Sequence, residues 1–263
     1  MSVALHYEIT GPDAAPVLLM GGSLGSALAM WDGQLPLAER LRLVRHDHRG
    51  HGRSPAPPGP YEIADLGRDV IALLDRLGIE RASYCGLSIG GMVGIWLGAH
   101  APDRIDRLVL ICTSAHIPPA SRWADRAAAV RAAGTPEVIA DAVVERWLTP
   151  AYAAEHPEQH AWLRAMLAGA DAGGYAACCG AIERMDLRAV LSRVDAPTLV
   201  ISGDGDLAAP PEHQRLIADG IPNARHETVA PAAHIAAVEQ AAAVNDLILE
   251  HILKRSIEPW ETP

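Results

Sequence analysis

The sequence predicts an α/β protein, with a mostly parallel central sheet and helices on both faces. Two observations carry this expectation. Short continuous apolar runs, such as Val17-Leu18-Leu19-Met20 and Leu108 to Cys112, read as strands buried on both sides. They alternate with segments whose apolar residues recur at helical spacing, the pattern of strands joined by covering helices. The alternation stops once, between Thr113 and Leu191, in an Ala-rich stretch of helical pattern carrying Trp123, Trp147 and Trp162. That stretch reads as a helical lid inserted over one end of the sheet.

Taken in order, Val17 to Met20 is a strand closed by Gly21-Gly22, and Leu41 to Val44 is a second. Pro55-Ala56-Pro57-Pro58-Gly59-Pro60 is a stiff loop. Asp65 to Leu77 places Leu66, Val70, Leu73, Leu74 and Leu77 on one helical face and stops at Gly78. Ala82 to Cys85 is a strand that breaks at Gly86. A helix from Ile89 to His100 should follow, because Pro102 blocks its continuation. Beyond Leu108 to Cys112 and the lid come the strand Thr198 to Ile201, a weaker strand at His226 to Val229, and a final helix from Ile235 to Leu253. The expected organisation is a core of residues 1–113 and 192–263 with a lid of residues 114–191. Ligands of such sheets bind outside the carboxyl ends of the strands, where a lid excludes water.

The chain has 263 residues, with 22 basic against 32 acidic side chains and a formal net charge of −10. A pI near 5.6 argues against a nucleic-acid or anionic-membrane partner. Hydrophobic residues at 49% are enough to bury a sizeable core. No basic segment followed by an apolar run opens the chain, so no signal peptide is expected. The longest apolar stretch, Cys85 to Ala99, holds five glycines and reads as a packed turn and helix instead of a membrane span. The four cysteines, Cys85, Cys112, Cys178 and Cys179, match no zinc spacing, and the adjacent pair would bridge only with strain. They read as small buried hydrophobes in a reducing, cytoplasmic protein.

The chemistry centres on Gly86-Leu87-Ser88-Ile89-Gly90, a G-x-S-x-G between a predicted strand and a predicted helix. A nucleophile on so tight a turn holds a strained backbone angle, and its neighbours two residues away must be small. Serine alone is a weak nucleophile and needs a base and an orienting acid, which follow here in the order Ser, Asp or Glu, His. Of 12 histidines, His234 stands between the last strand and the last helix, where the base belongs. His226 lies inside the preceding strand. His46, His48 and His51 surround the turn at Arg49 to Ser54 and read as structural; His46-Asp47-His48 could look like metal ligands, but adjacent strand positions face opposite ways, which disfavours a metal site. For the acid, Gly203-Asp204-Gly205-Asp206 offers two candidates, and Asp206 is preferred because Pro210 completes a G-x-x-D-x-x-x-P spacing. Thr113 and Ser114 end the earlier strand where some hydrolases carry the acid. The oxyanion donors should be the backbone N–H of Ile89 and that of Ser23, after Gly21-Gly22.

The ordered set Ser88, Asp206, His234 resembles an α/β-hydrolase, and more narrowly the 3-oxoadipate enol-lactonases. The resemblance runs from near the start to about residue 253. It rests on Ser23-Leu24-Gly25, Met30-Trp31-Asp32, Arg49-Gly50-His51-Gly52 and Tyr61 to Asp69. It continues through Cys85 to Met92 (CGLSIGGM), Gly174 to Cys179 (GYAACC), and Ala233-His234 with Val238-Glu239-Gln240. RGHG and G-x-S-x-G mark only the superfamily, whereas CGLSIGGM, GYAACC and AAHxxxVEQ are much narrower. Two departures stand out: Gly21-Gly22 replaces the His-Gly of many relatives, and no Phe occurs at all, so aromatic lining must come from Trp or Tyr.

The resemblance implies a Ser-His-Asp acyl-enzyme hydrolysis of 3-oxoadipate enol-lactone to 3-oxoadipate, in the β-ketoadipate route of aromatic catabolism. It implies neither a metal nor an organic cofactor. It leaves a general carboxylesterase, a cofactor-free perhydrolase or a C–C hydrolase as rivals on the same machinery. The substrate carries a free carboxylate, for which Arg122, Arg126, Arg146 and Arg164 of the lid are candidates, although a solvated helix face is the commoner fate of an arginine. Arg126, with Trp123 and Trp147 as lining, is the preferred set. Some relatives continue into a decarboxylase domain; this sequence ends at Pro263 after Ser256-Ile257-Glu258-Pro259, so no second activity is expected.

Overall fold

In the computed structural model, which describes residues 2–254, the apolar runs become strands of one sheet. The sheet comprises β1 (Tyr7–Thr10), β2 (Val17–Gly21), β3 (Arg42–His46), β4 (Ala82–Leu87), β5 (Ile105–Ile111), β6 (Thr198–Gly203) and β7 (Ala224–Val229). Their order is β1-β3-β2-β4-β5-β6-β7. Every pairing is parallel except β1 with β3. All six residues of β4 and all six of β6 are buried. Because successive side chains point to opposite faces, both faces of the central sheet are covered. The segment 256–259 lies outside the described residues.

The covering helices begin with α1 (Ile63–Leu77) and α2 (Ile89–His100), which pack on each other, α2 also lying on β4 and β5. Gly78 ends α1 in the left-handed conformation at φ 65°. Between β5 and β6 come α3 (Ala120–Ala133), α4 (Glu137–Val144), α5 (Pro150–Glu155), α6 (Pro157–Ala168) and α7 (Ala172–Arg184). They pack mainly against one another, α3 on α7 and α4 on α6. At one point α7 meets the core with no side chain between: a Cβ on Gly50 (φ +72°) would sit 2.5 Å from the Gly174 Cα. The RGHG turn and the GYAACC helix are therefore two halves of one contact. The last helices are α8 (Pro211–Gly220), α9 (Ala236–Glu239) and α10 (Ala241–Leu253).

Three features depart from the sequence expectation. β1 was not anticipated; three of its four residues are exposed, so it lacks the apolar run that marks the inner strands. Helix α8 was also missed, although Pro211 at its first position is a common start. The single final helix expected from Ile235 to Leu253 is two, because Gln240 leaves the helical region at φ −127°, ψ 48°. The break has a tertiary cause. The Glu239 carboxylate turns back to accept from Thr149 and Ala233, and the Gln240 Nε2 donates to the Pro231 carbonyl at 2.8 Å. All four cysteines are free and buried. Among the described residues no helix is long and apolar enough to cross a membrane.

Candidate active site

Ser88 sits where β4 turns into α2, at φ 57°, ψ −117°. Such a backbone angle is costly for a residue with a Cβ and persists only when its surroundings over-determine it. They do so here. The Ser88 N–H donates to the Ile111 carbonyl at 3.0 Å, and the Ser88 carbonyl accepts from the Thr113 hydroxyl at 2.6 Å. Thr113, at the end of β5, thus braces the elbow. The flanking glycines are required by close approach: a Cβ on Gly86 would collide with the Gly90 carbonyl, and one on Gly90 with the Gly21 carbonyl. The Gly90 N–H also donates to the Gly22 carbonyl at 3.2 Å, so the elbow and the loop after β2 are locked together.

His234 follows β7, on a loop whose Nδ1 lies 2.9 Å from Asp206 Oδ2; both side chains are buried. The second oxygen of Asp206 accepts the N–H groups of Ala208 and Ala209 at 2.8 and 2.9 Å. A carboxylate can only accept, so Nδ1 carries the proton and Nε2 is left as the basic nitrogen. Asp204, the other aspartate of the turn, holds the loop ahead of His234 instead, accepting the Ala232 N–H at 2.9 Å. His226 reaches Ser202 Oγ at 2.9 Å on the neighbouring strand. His46, His48 and His51 are buried, with His46 edge-on to His48 at 5.1 Å. Burial pushes His46 down to about 4 and lowers His48 and His51 as well, which keeps all three neutral near pH 7. Among the described residues no group of three or more His, Cys, Asp or Glu could hold a metal ion.

Ser88 and His234 open onto one cavity, also lined by Ser23 and Leu24. The helical segment between β5 and β6 contributes Trp123, Trp147 and Tyr175 together with three arginines, Arg122, Arg126 and Arg146. No Asp or Glu lines it, and among the described residues none forms an ion pair with these three guanidinium groups. Arg126 lies 4.8 Å and Arg122 6.0 Å from the Trp123 ring centroid. Burial, then mutual repulsion, lowers the pKa of Arg122 and of Arg146. The site is thus a concentrated positive charge in a chain of net charge −10. Arg164 is not part of it: its Nε donates to Asp141 at 2.6 Å on the outer surface of α6 and α4. Of the four candidate arginines, three therefore face the cavity and Arg164 alone lies on an outer helix face.

The two expected oxyanion donors are placed differently. The Ile89 N–H opens α2, where amides lack intrahelical partners. The Ser23 N–H is directed at the Met30 thioether, 3.3 Å away, which also accepts from Ser26 Oγ at 2.9 Å.

The alpha/beta hydrolase fold family matches residues 15–241 of the chain. The chain belongs to the α/β-hydrolases. It is 40% identical over 255 residues to 3-oxoadipate enol-lactonase 2 of Acinetobacter baylyi, covering 96% of this chain and 94% of that one. The enol-lactonase of Burkholderia xenovorans superposes with a TM-score of 0.92 at 41% identity, over 95% and 96% of the two chains. A thermophilic esterase of Thermogutta terrifontis, solved with malate bound, follows at 29% identity and a TM-score of 0.88, over 94% and 92%. The resemblance read from the motifs and these likenesses agree.

Two features of this α/β-hydrolase were not legible in its sequence. The convergence of three arginines was not, although Arg122 and Arg126, one turn apart on α3, share a helix face. The place of Glu239 was not either: its buried carboxylate ties Thr149, ahead of α5, to Ala233 on the His234 loop.

Proposed function

We propose that this α/β-hydrolase opens 3-oxoadipate enol-lactone to 3-oxoadipate through an acyl-enzyme on Ser88, with His234 as base and Asp206 as its orienting acid. Residues 114–191 act as the lid that shapes the pocket. The reading is supported by the enol-lactonase relatives, and the observation that carries it is the cationic wall of the cavity that Ser88 and His234 share. A lactone with a pendant carboxylate brings an electrophilic carbonyl for Ser88 and an anion for the arginines of that cavity.

In this mechanism Nε2 of His234 takes the Ser88 proton as Oγ attacks the lactone carbonyl. The tetrahedral oxyanion is held by the Ile89 N–H at the positive end of α2, and by the Ser23 N–H once it turns from Met30. A thioether is a weak acceptor, so the exchange for an anionic oxygen is favourable. Collapse breaks the ring C–O bond and expels an enol oxygen, protonated by the imidazolium of His234, and the enol tautomerises to the ketone. Water, deprotonated by His234, then attacks the acyl carbonyl and releases Ser88. Asp206 holds the imidazole tautomer and stabilises the imidazolium throughout. Arg126, with Arg122 and Arg146 beside it, receives the substrate carboxylate, while Trp123 and Trp147 flank the ring.

The deciding experiment measures hydrolysis of freshly generated enol-lactone by the wild type and by Ser88→Ala. A kcat/KM of about 10⁵ M⁻¹s⁻¹ or above that collapses in the variant is expected. A rate no better than on simple aryl esters would leave a generalist esterase and sink the substrate assignment.

A further inference from the structure

The loop carrying His234 is held from two sides. On the acid side, Asp204 accepts the Ala232 N–H at 2.9 Å, and the Gly205 N–H donates to the Ala232 carbonyl at 2.9 Å. On the lid side, the Ile235 N–H donates to the carbonyl of Trp147, a residue of the cavity wall, at 2.9 Å. Between these lies Glu239. Its Oε1 accepts the Thr149 N–H at 2.6 Å and the Thr149 hydroxyl at 2.9 Å, and its Oε2 accepts the Ala233 N–H. Ala233 is the residue immediately before His234, and Thr149 opens α5 as its N-cap.

We infer that Glu239 is a positioning residue for His234: its carboxylate fixes the backbone on which the base stands and ties it to the lid wall at Trp147–Thr149. Three donors converge on one buried side chain, and only an ionised carboxylate accepts from all of them at once. An amide cannot. A glutamine at 239 would turn its NH₂ either on the Ala233 N–H or on the Thr149 N–H, so one contact becomes donor against donor. An aspartate would be one methylene short of bridging both sides. The arrangement also explains why the terminal helix breaks at Gln240: an unbroken helix would not return this carboxylate to the loop. The base can then be displaced by a defect that touches neither the substrate nor the imidazole. Displacing a catalytic group by about 1 Å costs on the order of 10²-fold in rate.

The test compares Glu239→Gln, Thr149→Val and His234→Ala on the enol-lactone and on p-nitrophenyl acetate, with the rate of Ser88 labelling by a fluorophosphonate. For Glu239→Gln a fall in kcat of about 10- to 100-fold on both substrates is expected, with KM within about threefold and labelling slowed in parallel. Slowed labelling reports loss of the base in a protein that still folds, which a purely structural role would not produce. Thr149→Val, which removes one of the three donors, should lower kcat by a few-fold in the same sense. If Glu239→Gln lowers only the melting temperature and leaves kcat and labelling within twofold, the inference is overturned. Should that variant fail to fold, an unchanged kcat in Thr149→Val overturns it instead. The inference rests on His234 being the base. An active His234→Ala would remove the catalytic reading itself, whereas an inactive one beside an unaffected Glu239→Gln would remove only this inference.

Discussion

Asp206 meets His234 with one oxygen and two backbone N–H groups with the other: Oδ2 lies 2.9 Å from Nδ1, while Oδ1 accepts from Ala208 and Ala209. This division fixes what an amide would do there. In Asp206→Asn the oxygen must stay on the Ala208 and Ala209 N–H groups, so the NH₂ faces Nδ1. Nδ1 then becomes the acceptor and Nε2 the protonated nitrogen, useless as a base. The expected loss in kcat is about 10³- to 10⁴-fold, with little change in the urea midpoint, because every backbone contact of the turn survives. A fall of less than tenfold would show that Asp206 does not set the tautomer.

The three cavity arginines predict a substrate-dependent effect. Arg126→Met keeps much of the stem over Trp123 and deletes the charge. A hydrogen bond to a charged group contributes about 1.5–3 kcal/mol, so kcat/KM on the enol-lactone should fall by about 10- to 100-fold. The rate on p-nitrophenyl acetate, which has no carboxylate, should stay within about twofold. Equal losses on both substrates would mean that Arg126 supports the lid and not the ligand.

How much of this was readable in advance depends on what marks each element. Helix α2 was placed from Ile89 to His100 with both ends right, because an elbow serine and Pro102 are local signals. The edge strand β1 has no local signal; it exists because β3 offers it an antiparallel partner. The break at Gln240 is set by what Glu239 touches, including Thr149, which is 90 residues away. The same holds for the site. Ser88, Asp206 and His234 were singled out by chain order and flanking strands, and the structure brings Asp206 and His234 together and places Ser88 on the same cavity. Among the arginines, sequence preferred Arg126 but could not part Arg146 from Arg164. Arg146 and Arg164 look alike until Asp141 captures Arg164 and leaves Arg146 facing the pocket.

Gly90 is predicted to be the least replaceable glycine of the elbow. An added Cβ would press on the carbonyls of both Gly21 and Gly22, backbone that cannot rotate away. Overpacking of this kind costs about 1–3 kcal/mol, and here it also pushes the loop after β2 from Ser88. Gly90→Ala should therefore lose stability in urea and up to about 10²-fold in kcat together. Loss of stability with an unchanged kcat would mean that the loop after β2 takes no part in the chemistry.

Stability should also depend on pH through histidines other than His234. Burial holds His46 at about 4 against an ordinary value of 6.5, despite the opposing charge of Asp47. His251 is likewise lowered to about 4 by burial, with Arg107 and Arg225 adding to the shift and its contact with the Pro197 carbonyl opposing it. In each case the unfolded chain takes up a proton that the folded one refuses. The sign follows: the stability is fully present above pH 6.5 and is lost as pH falls from 6.5 towards 4. Each group can add a slope of about 1.4 kcal/mol per pH unit within that window. Buried His48, lowered further, acts in the same direction. The urea midpoint should be level between pH 7 and 8 and fall steadily from pH 6.5 to 5, above the range where paired carboxylates begin to protonate. His251→Gln should make that fall shallower. A midpoint unchanged between pH 7.5 and 5 would mean that these histidines are protonated without strain in the folded protein.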